Sequence, residues 1–150
     1  PADPPVYAAS ISHAPGRGGP GASDARHVLM LQGIVDNYIL PPIANTLSLG
    51  LGLDLAGPAL DAGHPQLAAF TPLGAHLGHS GGAPVALPAS GNRNGGRATA
   101  VVVQHAEDGV EDGHEAVFQT APPKAQIRCF LRSFAETGVP RVSGPGEACD

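Results

Sequence analysis

The stretch that decides the fold is HVLMLQGIVD, residues 27–36. Its first six residues are almost all apolar instead of alternating with polar ones, which is typical of a strand buried on both faces of a parallel sheet. Gly33 ends the strand, and the loop after it opens with Asp36. A second run of this kind, ATAVVVQ at 98–104, leads into an acidic turn that contains His114. The sequence therefore predicts two parallel strands, one followed by a carboxylate and the other by an imidazole.

A helix-compatible segment follows each strand. The first, 43–53, comes after two prolines that suit the first turn of a helix. The second, 122–137, has an apolar face and a basic face and is ended by Gly138. This order predicts an α/β fold with a partial parallel sheet and flanking helices. Two parallel strands do not form a stable sheet. Either the irregular regions hold further strands or the chain completes a sheet built by other polypeptide, and we favour the second.

The composition predicts a folded protein with long irregular connections. Glycine (21) and proline (16) together make 37 of the 150 residues, but the chain is 42% hydrophobic and its net charge is only −5. Disordered chains instead combine low hydrophobicity with high net charge. Residues 1–26 are interpreted as an extended arm or loop, and 27–150 as one domain with an irregular insertion at 54–97.

The charge and hydropathy patterns exclude two classes of partner. The chain is mildly acidic, with no basic stripe and few aromatic residues, which argues against a nucleic-acid partner. No apolar run approaches the roughly 20 residues that span a bilayer, so no transmembrane segment is expected. The opening PADPP lacks an initiator methionine and a signal peptide, which indicates a processed chain or a fragment.

Two cysteines bear on the compartment. Cys129 falls in the second helix and Cys149 in the Gly/Pro-rich tail. A disulfide between them would require an oxidising compartment, and we expect an extracytoplasmic location, either secreted or in the cell envelope. A buried free thiol with an exposed one is an equally good interpretation.

The order of these elements resembles the C-terminal portion of an α/β-hydrolase of the serine esterase or lipase type. The resemblance rests on a strand followed by Gly33-x-x-Asp36, a loop and a helix, then a strand followed by an acidic turn, Gly113-His114 and a helix. It covers 27–53 and 98–137. It implies a catalytic triad in the chain order nucleophile, acid, histidine, with Asp36 as the acid and His114 as the general base. It further implies ester hydrolysis by acyl transfer, an ester or lipid-like substrate, and no cofactor.

The nucleophile is the missing member of this triad. Residues 78–82, GHSGG, match the letters of a nucleophile elbow around Ser80. An elbow needs a strand before the serine and a helix after it, and prolines and glycines break both flanks here. The order acid, serine, histidine also differs from the family's. We therefore expect Ser80 in a surface loop and the nucleophile on an upstream segment or a separate chain, so that this chain is not active alone.

Two other interpretations remain. The chain is alternatively a non-catalytic interaction module, secreted or in the envelope, whose Gly/Pro-rich arms wrap a partner. His76 and His79, with His64 or His105, offer imidazoles for zinc or copper, but no cysteine or carboxylate stands at ligand spacing with them, so no metal is expected. The acidic residues of 107–112 are interpreted as a solvated turn.

Overall fold

The computed structural model describes residues 4–12, 26–109 and 112–149. Its helices are α1 Pro4–Ser12, α2 Pro41–Gly50, α3 Ala116–Gln119 and α4 Ala121–Thr137. Its strands are β1 Val28–Gly33, β2 Asp54–Ala56, β3 Pro84–Val85, β4 Ala89–Ser90, β5 Ala100–His105 and β6 Arg141–Val142. Among the described residues, no helix is long and apolar enough to cross a membrane.

Four strands form one parallel sheet in the order β1-β5-β2-β3, and β4 pairs with β6 in an antiparallel ribbon. The predicted α/β fold with a parallel sheet is thus confirmed. The register of β1 and β5 runs from Val28 opposite Ala100 to Gly33 opposite His105. The two strands therefore end at the same level, which brings the loops after them together.

The chain itself supplies two further strands of the four-stranded sheet that the sequence did not predict. Both β2 and β3 come from 54–97, which was interpreted as an irregular insertion. They contain three and two residues, too few to show a hydrophobic period. The first of the two alternatives, that the irregular regions hold further strands, is therefore confirmed.

The strand β5 is the centre of the core, because every one of its residues is buried. Val102 packs on one side of the sheet with Leu53 and Leu55. Val101 and Val103 pack on the other side with residues that include Phe130 of α4. Burial on both faces explains why the run is apolar throughout.

The two predicted helices are present. Helix α2 begins at Pro41 and ends at Gly50, three residues before the predicted end, because the chain there turns into β2. Helix α4 ends at Thr137 and is capped by Gly138, whose φ of 77° is the left-handed conformation that glycine adopts at helix ends.

The arm predicted at 1–26 is wrong for residues 4–12, which form α1. Prolines occupy its first turn, where their missing N–H groups cost nothing. Ala8 is fully buried against α2, and Ser12 Oγ donates a hydrogen bond to the Leu51 carbonyl at 2.6 Å. The rest of the predicted arm, 1–3 and 13–25, lies outside the described residues.

The two cysteines are joined in a disulfide between Cys129 of α4 and Cys149 of the tail. The free-thiol interpretation is therefore wrong. The bond holds the segment after β6 against α4.

Candidate active site

The structure brings Asp36 and His114 together, although 78 residues separate them. Asp36 follows β1 and His114 follows β5, the adjacent strand. His114 Nδ1 lies 3.1 Å from Asp36 Oδ2. The pair thus sits at the carboxyl end of the parallel sheet, where the loops of such sheets commonly carry functional groups.

Local hydrogen bonds fix the Asp36 carboxylate. Its Oδ1 accepts from the backbone N–H groups of Tyr38 and Ile39, each at 2.8 Å, which leaves Oδ2 for His114. Val35, the preceding residue, has a φ of 62°. A β-branched residue in this left-handed region is strained, and such strain concentrates at functional sites.

The His114 loop is fixed by equally local contacts. Asp112 Oδ1 accepts from the His114 N–H at 2.8 Å, and the Gly113 N–H donates to the Val35 carbonyl at 3.2 Å. A Cβ atom on Gly33 would overlap the Gly113 carbonyl oxygen. Glycine is therefore needed for this close approach of the two loops, which sets the distance between the two side chains.

The imidazole is held on one side and open on the other. The Tyr38 ring packs against it, with ring centroids 4.8 Å apart. The His114 side chain is 35% exposed, and that of Asp36 12%. Because an ionised carboxylate only accepts hydrogen bonds, this contact favours the tautomer of a neutral His114 ring that carries its proton on Nδ1 and its lone pair on Nε2. The arrangement provides an oriented base that a reactant can reach.

Ser80 does not join this pair. It follows a single 3₁₀ turn, Leu77–His79, and its Oγ donates to the Leu77 carbonyl at 3.0 Å. It lies just before β3, at the amino end of the sheet, whereas Asp36 and His114 lie at the carboxyl end. As expected from the sequence, neither an elbow strand nor a following helix flanks it, although the residue is half-buried.

The histidines considered for a metal are not gathered into a site. The rings of His76 and His79 are 6.3 Å apart. Within 4–12, 26–109 and 112–149, no three His, Cys, Asp or Glu side chains are placed to hold a metal ion.

Buried side-chain amides form a line of hydrogen bonds at the carboxyl end of the sheet, and no sequence motif marks it. Gln104 Nε2 donates to Gln32 Oε1 at 3.3 Å, and Gln32 Nε2 donates to Asn45 Oδ1 at 3.0 Å. The Asp61 N–H donates to Gln104 Oε1 at 3.2 Å. These bonds link the carboxyl ends of β1 and β5 to α2 and to the loop after β2. In the sequence, these hydrogen bonds are indicated only by the two glutamines in otherwise apolar strands.

A second ion pair, at the other end of the sheet, was also missed. Asp54 Oδ1 accepts from Arg93 Nη2 at 2.5 Å and from the Ala83 N–H at 2.8 Å, while Oδ2 accepts from Asn92 Nδ2 at 2.7 Å. Arg93 stands in the stretch GNRNGG, 91–96, whose glycines and asparagines are typical of a turn, and such a pattern says nothing about a distant partner.

Comparisons of the chain with protein-family models, with curated proteins and with solved structures gave no match. The chemistry of the site alone therefore bears on function.

Proposed function

We propose that this chain carries the acid and the base of a serine-hydrolase active site that cleaves esters by acyl transfer. The observation that carries the proposal is the hydrogen bond between His114 Nδ1 and Asp36 Oδ2. It forms beyond the carboxyl ends of β1 and β5, two adjacent parallel strands that end side by side. Two of the three groups of a nucleophile, base and acid triad thereby have the required relation.

In this mechanism His114 Nε2 removes the proton of a serine hydroxyl as its oxygen attacks the ester carbonyl. The imidazolium then donates that proton to the departing alcohol, and an acyl-enzyme remains. A water molecule, deprotonated by the same nitrogen, hydrolyses the acyl-enzyme and restores the serine. Asp36 holds the tautomer with the proton on Nδ1 and stabilises the imidazolium.

The serine is proposed to come from an upstream segment or a separate chain. The edge of β1 away from β5 pairs with no strand in the described part of the chain. A groove of about 370 Å³ runs beside it, lined by residues that include Met30, Leu31, Ile43 and Leu47. An apolar strand with an open edge favours pairing with another polypeptide. A strand added there would end close to Asp36.

Apolar side chains near the pair favour an ester with a hydrocarbon part. Tyr38, which contacts His114, is 76% exposed, and Phe118, four residues after His114, is 70% exposed. Large exposed aromatic groups beside a site favour apolar ligands or partners. The disulfide between Cys129 and Cys149 supports the proposed extracytoplasmic location, since such bonds persist in oxidising compartments.

A fluorophosphonate probe, which reacts with activated serines, tests the proposal on the assembly isolated from its native source. We expect labelling of a serine outside residues 1–150, lost in His114→Ala and retained in His76→Ala, the matched histidine control. Ser80→Ala is expected to label like the wild type. Label on Ser80, or full labelling of His114→Ala, would contradict the proposal.

The alternative, a non-catalytic interaction module, is favoured by one observation. Val6, Tyr7 and Ile11 on α1 are exposed, although the helix itself packs on α2. If the isolated assembly holds a partner but no serine is labelled, and if charges introduced at Val6 and Ile11 release that partner, the interaction module is the better account.

A further inference from the structure

A second pocket borders the carboxyl end of β5 and shares no lining residue with the Asp36–His114 pair. It has a volume of about 460 Å³ and is bounded by the end of β5, by α4 and by the tail 144–147. Neither Asp36 nor His114 lines it. Most of its wall is apolar, with Pro58, Leu60, Leu87, Val103, Pro122 and Ala125 among the lining residues. Its size falls in the usual range of small-molecule sites.

Two buried polar side chains line this apolar wall. His105 is 8% exposed and Gln126 is 4% exposed. The two side chains lie within reach of each other, but in the part of the chain that the structure describes neither His105 Nε2 nor Gln126 Oε1 has a partner with good hydrogen-bond geometry. Gln126 Nε2 donates to the Ser143 carbonyl at 3.0 Å, which fixes the carboxamide. A buried polar atom without a partner costs about 1–3 kcal/mol, so a ligand that satisfied both atoms would gain affinity.

We propose that this pocket binds a neutral, mostly apolar molecule that carries a hydroxyl group. A hydroxyl donates one hydrogen bond and accepts others, so it can donate to Gln126 Oε1 and accept from His105 when the neutral ring carries its proton on Nε2. Burial lowers the pKa of the His105 imidazole, and the neighbouring Gln126 opposes that shift only in part. The ring is therefore neutral near pH 7 and offers no charge to an anion.

The charged residues of the pocket agree with a neutral ligand. Arg128 and Glu147 both line it, and Arg128 is exposed to solvent. A carboxylate in the apolar part would lose its hydration and would meet the Gln126 carbonyl oxygen, which also accepts hydrogen bonds. This inference is independent of the proposed hydrolase activity, because the two sites share no residue.

The disulfide holds one wall of the pocket in place. The tail residues Gly144 to Glu147 form that wall, and Cys149 is bonded to Cys129 just beyond it. Glu147 also forms an ion pair with Arg141 and accepts from the Gly144 N–H at 2.8 Å. Reduction of the disulfide is therefore expected to weaken binding in this pocket.

Calorimetric titration of the 150-residue chain with 2-naphthol tests the inference, with 2-methylnaphthalene as the analogue without a hydroxyl and 2-naphthoate as the anion. We expect 2-naphthol to bind and 2-methylnaphthalene to bind at least about tenfold more weakly, because it forms neither of the hydroxyl group's two hydrogen bonds. Equal affinities of the two, tightest binding of 2-naphthoate, or no binding of 2-naphthol up to its solubility would overturn the proposal.

Two pairs of variants assign the binding to this pocket. Ala125→Phe fills the pocket without touching the polar pair and should abolish binding, whereas Ala135→Phe, on an exposed position of the same helix, should leave it unchanged. His105→Phe should reduce the affinity for 2-naphthol to that for 2-methylnaphthalene. If His105→Phe fails to fold by circular dichroism, the Ala125 and Ala135 pair still decides. Undiminished binding by a folded Ala125→Phe would overturn the proposal.

Discussion

The parallel sheet carries a carboxylate paired with a basic side chain at each end, and the two pairs differ in how many hydrogen bonds their atoms form. At the amino end, Asp54 accepts from three donors through its two oxygens. Its partner Arg93 also donates to the carbonyls of Gly52 and Gly81. At the carboxyl end, Asp36 is similarly occupied, but His114 meets it through Nδ1 alone and its side chain is 35% exposed.

This difference separates a structural pair from a reactive one. In the Asp54–Arg93 pair both carboxylate oxygens accept hydrogen bonds and the guanidinium also donates to two backbone carbonyls, which fixes the loops around it. An imidazole oriented by a carboxylate on one nitrogen and exposed on the other has the form of a general base.

The largest expected effect is on hydrolysis by the complete assembly. His114→Ala removes the proposed base, and we expect kcat/KM for p-nitrophenyl butyrate to fall about 10⁴-fold. Arg93→Met, at the other end of the sheet, is expected to change kcat/KM of the folded fraction by less than about threefold, since a change far from the proposed site leaves the reacting groups in place. Equal losses in the two variants would break the comparison.

Stability should show the opposite ranking. Asp54→Ala leaves a largely buried guanidinium without its partner, and we expect a loss of about 3–5 kcal/mol in the free energy of unfolding. Asp36→Ala removes the acceptor of two backbone N–H groups and should cost only about 1 kcal/mol. Urea denaturation measures both. A larger loss for Asp36→Ala than for Asp54→Ala would show that the Asp36–His114 pair, and not the Asp54–Arg93 pair, is the one that stabilises the fold.

A glycine at each end sharpens the comparison further. Gly33→Ala places a methyl group against the Gly113 carbonyl, and Gly82→Ala places one 2.7 Å from the Leu53 carbonyl oxygen near Asp54. Each should cost about 1–3 kcal/mol because the backbone must move. Only Gly33→Ala is expected to separate Asp36 from His114, which NMR of the His114 ring would detect. The control Gly74→Ala, with open space around its Cβ, should lie within about 0.5 kcal/mol of the wild type.

The smallest expected effect concerns pH and His105. Burial lowers the pKa of His105 in the folded chain. As the pH falls below the ordinary value of about 6.5, the unfolded chain therefore binds a proton on this ring before the folded chain does. The free energy of unfolding should therefore decrease as pH falls from about 6.5 towards 5. Glu147, which lines the same pocket, has its pKa lowered chiefly by the Gly144 N–H and stays charged over this range.

Urea titrations at a series of pH values measure this dependence. His105→Phe should reduce the slope between pH 5 and 6.5, and His76→Ala, which changes a histidine outside the pocket, should leave it unaltered. A slope that is identical in His105→Phe and the wild type would contradict a neutral buried imidazole.

The parts of this molecule that could be predicted from sequence are those whose signal spans many residues. The strands β1 and β5 and the helices α2 and α4 are long enough for their hydrophobic patterns to appear. Asp36 and His114 could be placed together because each follows a strand, and parallel strands end at one edge of a sheet. Contacts set by tertiary packing could not be predicted. They include the two short strands, the Asp54–Arg93 pair and the pocket around His105, none of which has a local sequence period.

The tautomer of His114 tests the central claim most directly, since it can be measured on the chain without the nucleophile. Long-range ¹H–¹⁵N NMR of the imidazole rings distinguishes a proton on Nδ1 from one on Nε2. We predict that neutral His114 carries its proton on Nδ1 and that Asp36→Ala abolishes this preference. The control variants Asp36→Glu, which keeps a carboxylate, and His76→Ala should leave the preference in place. A neutral His114 protonated on Nε2 in the wild type would contradict an oriented base and, with it, the proposed acid and base pair.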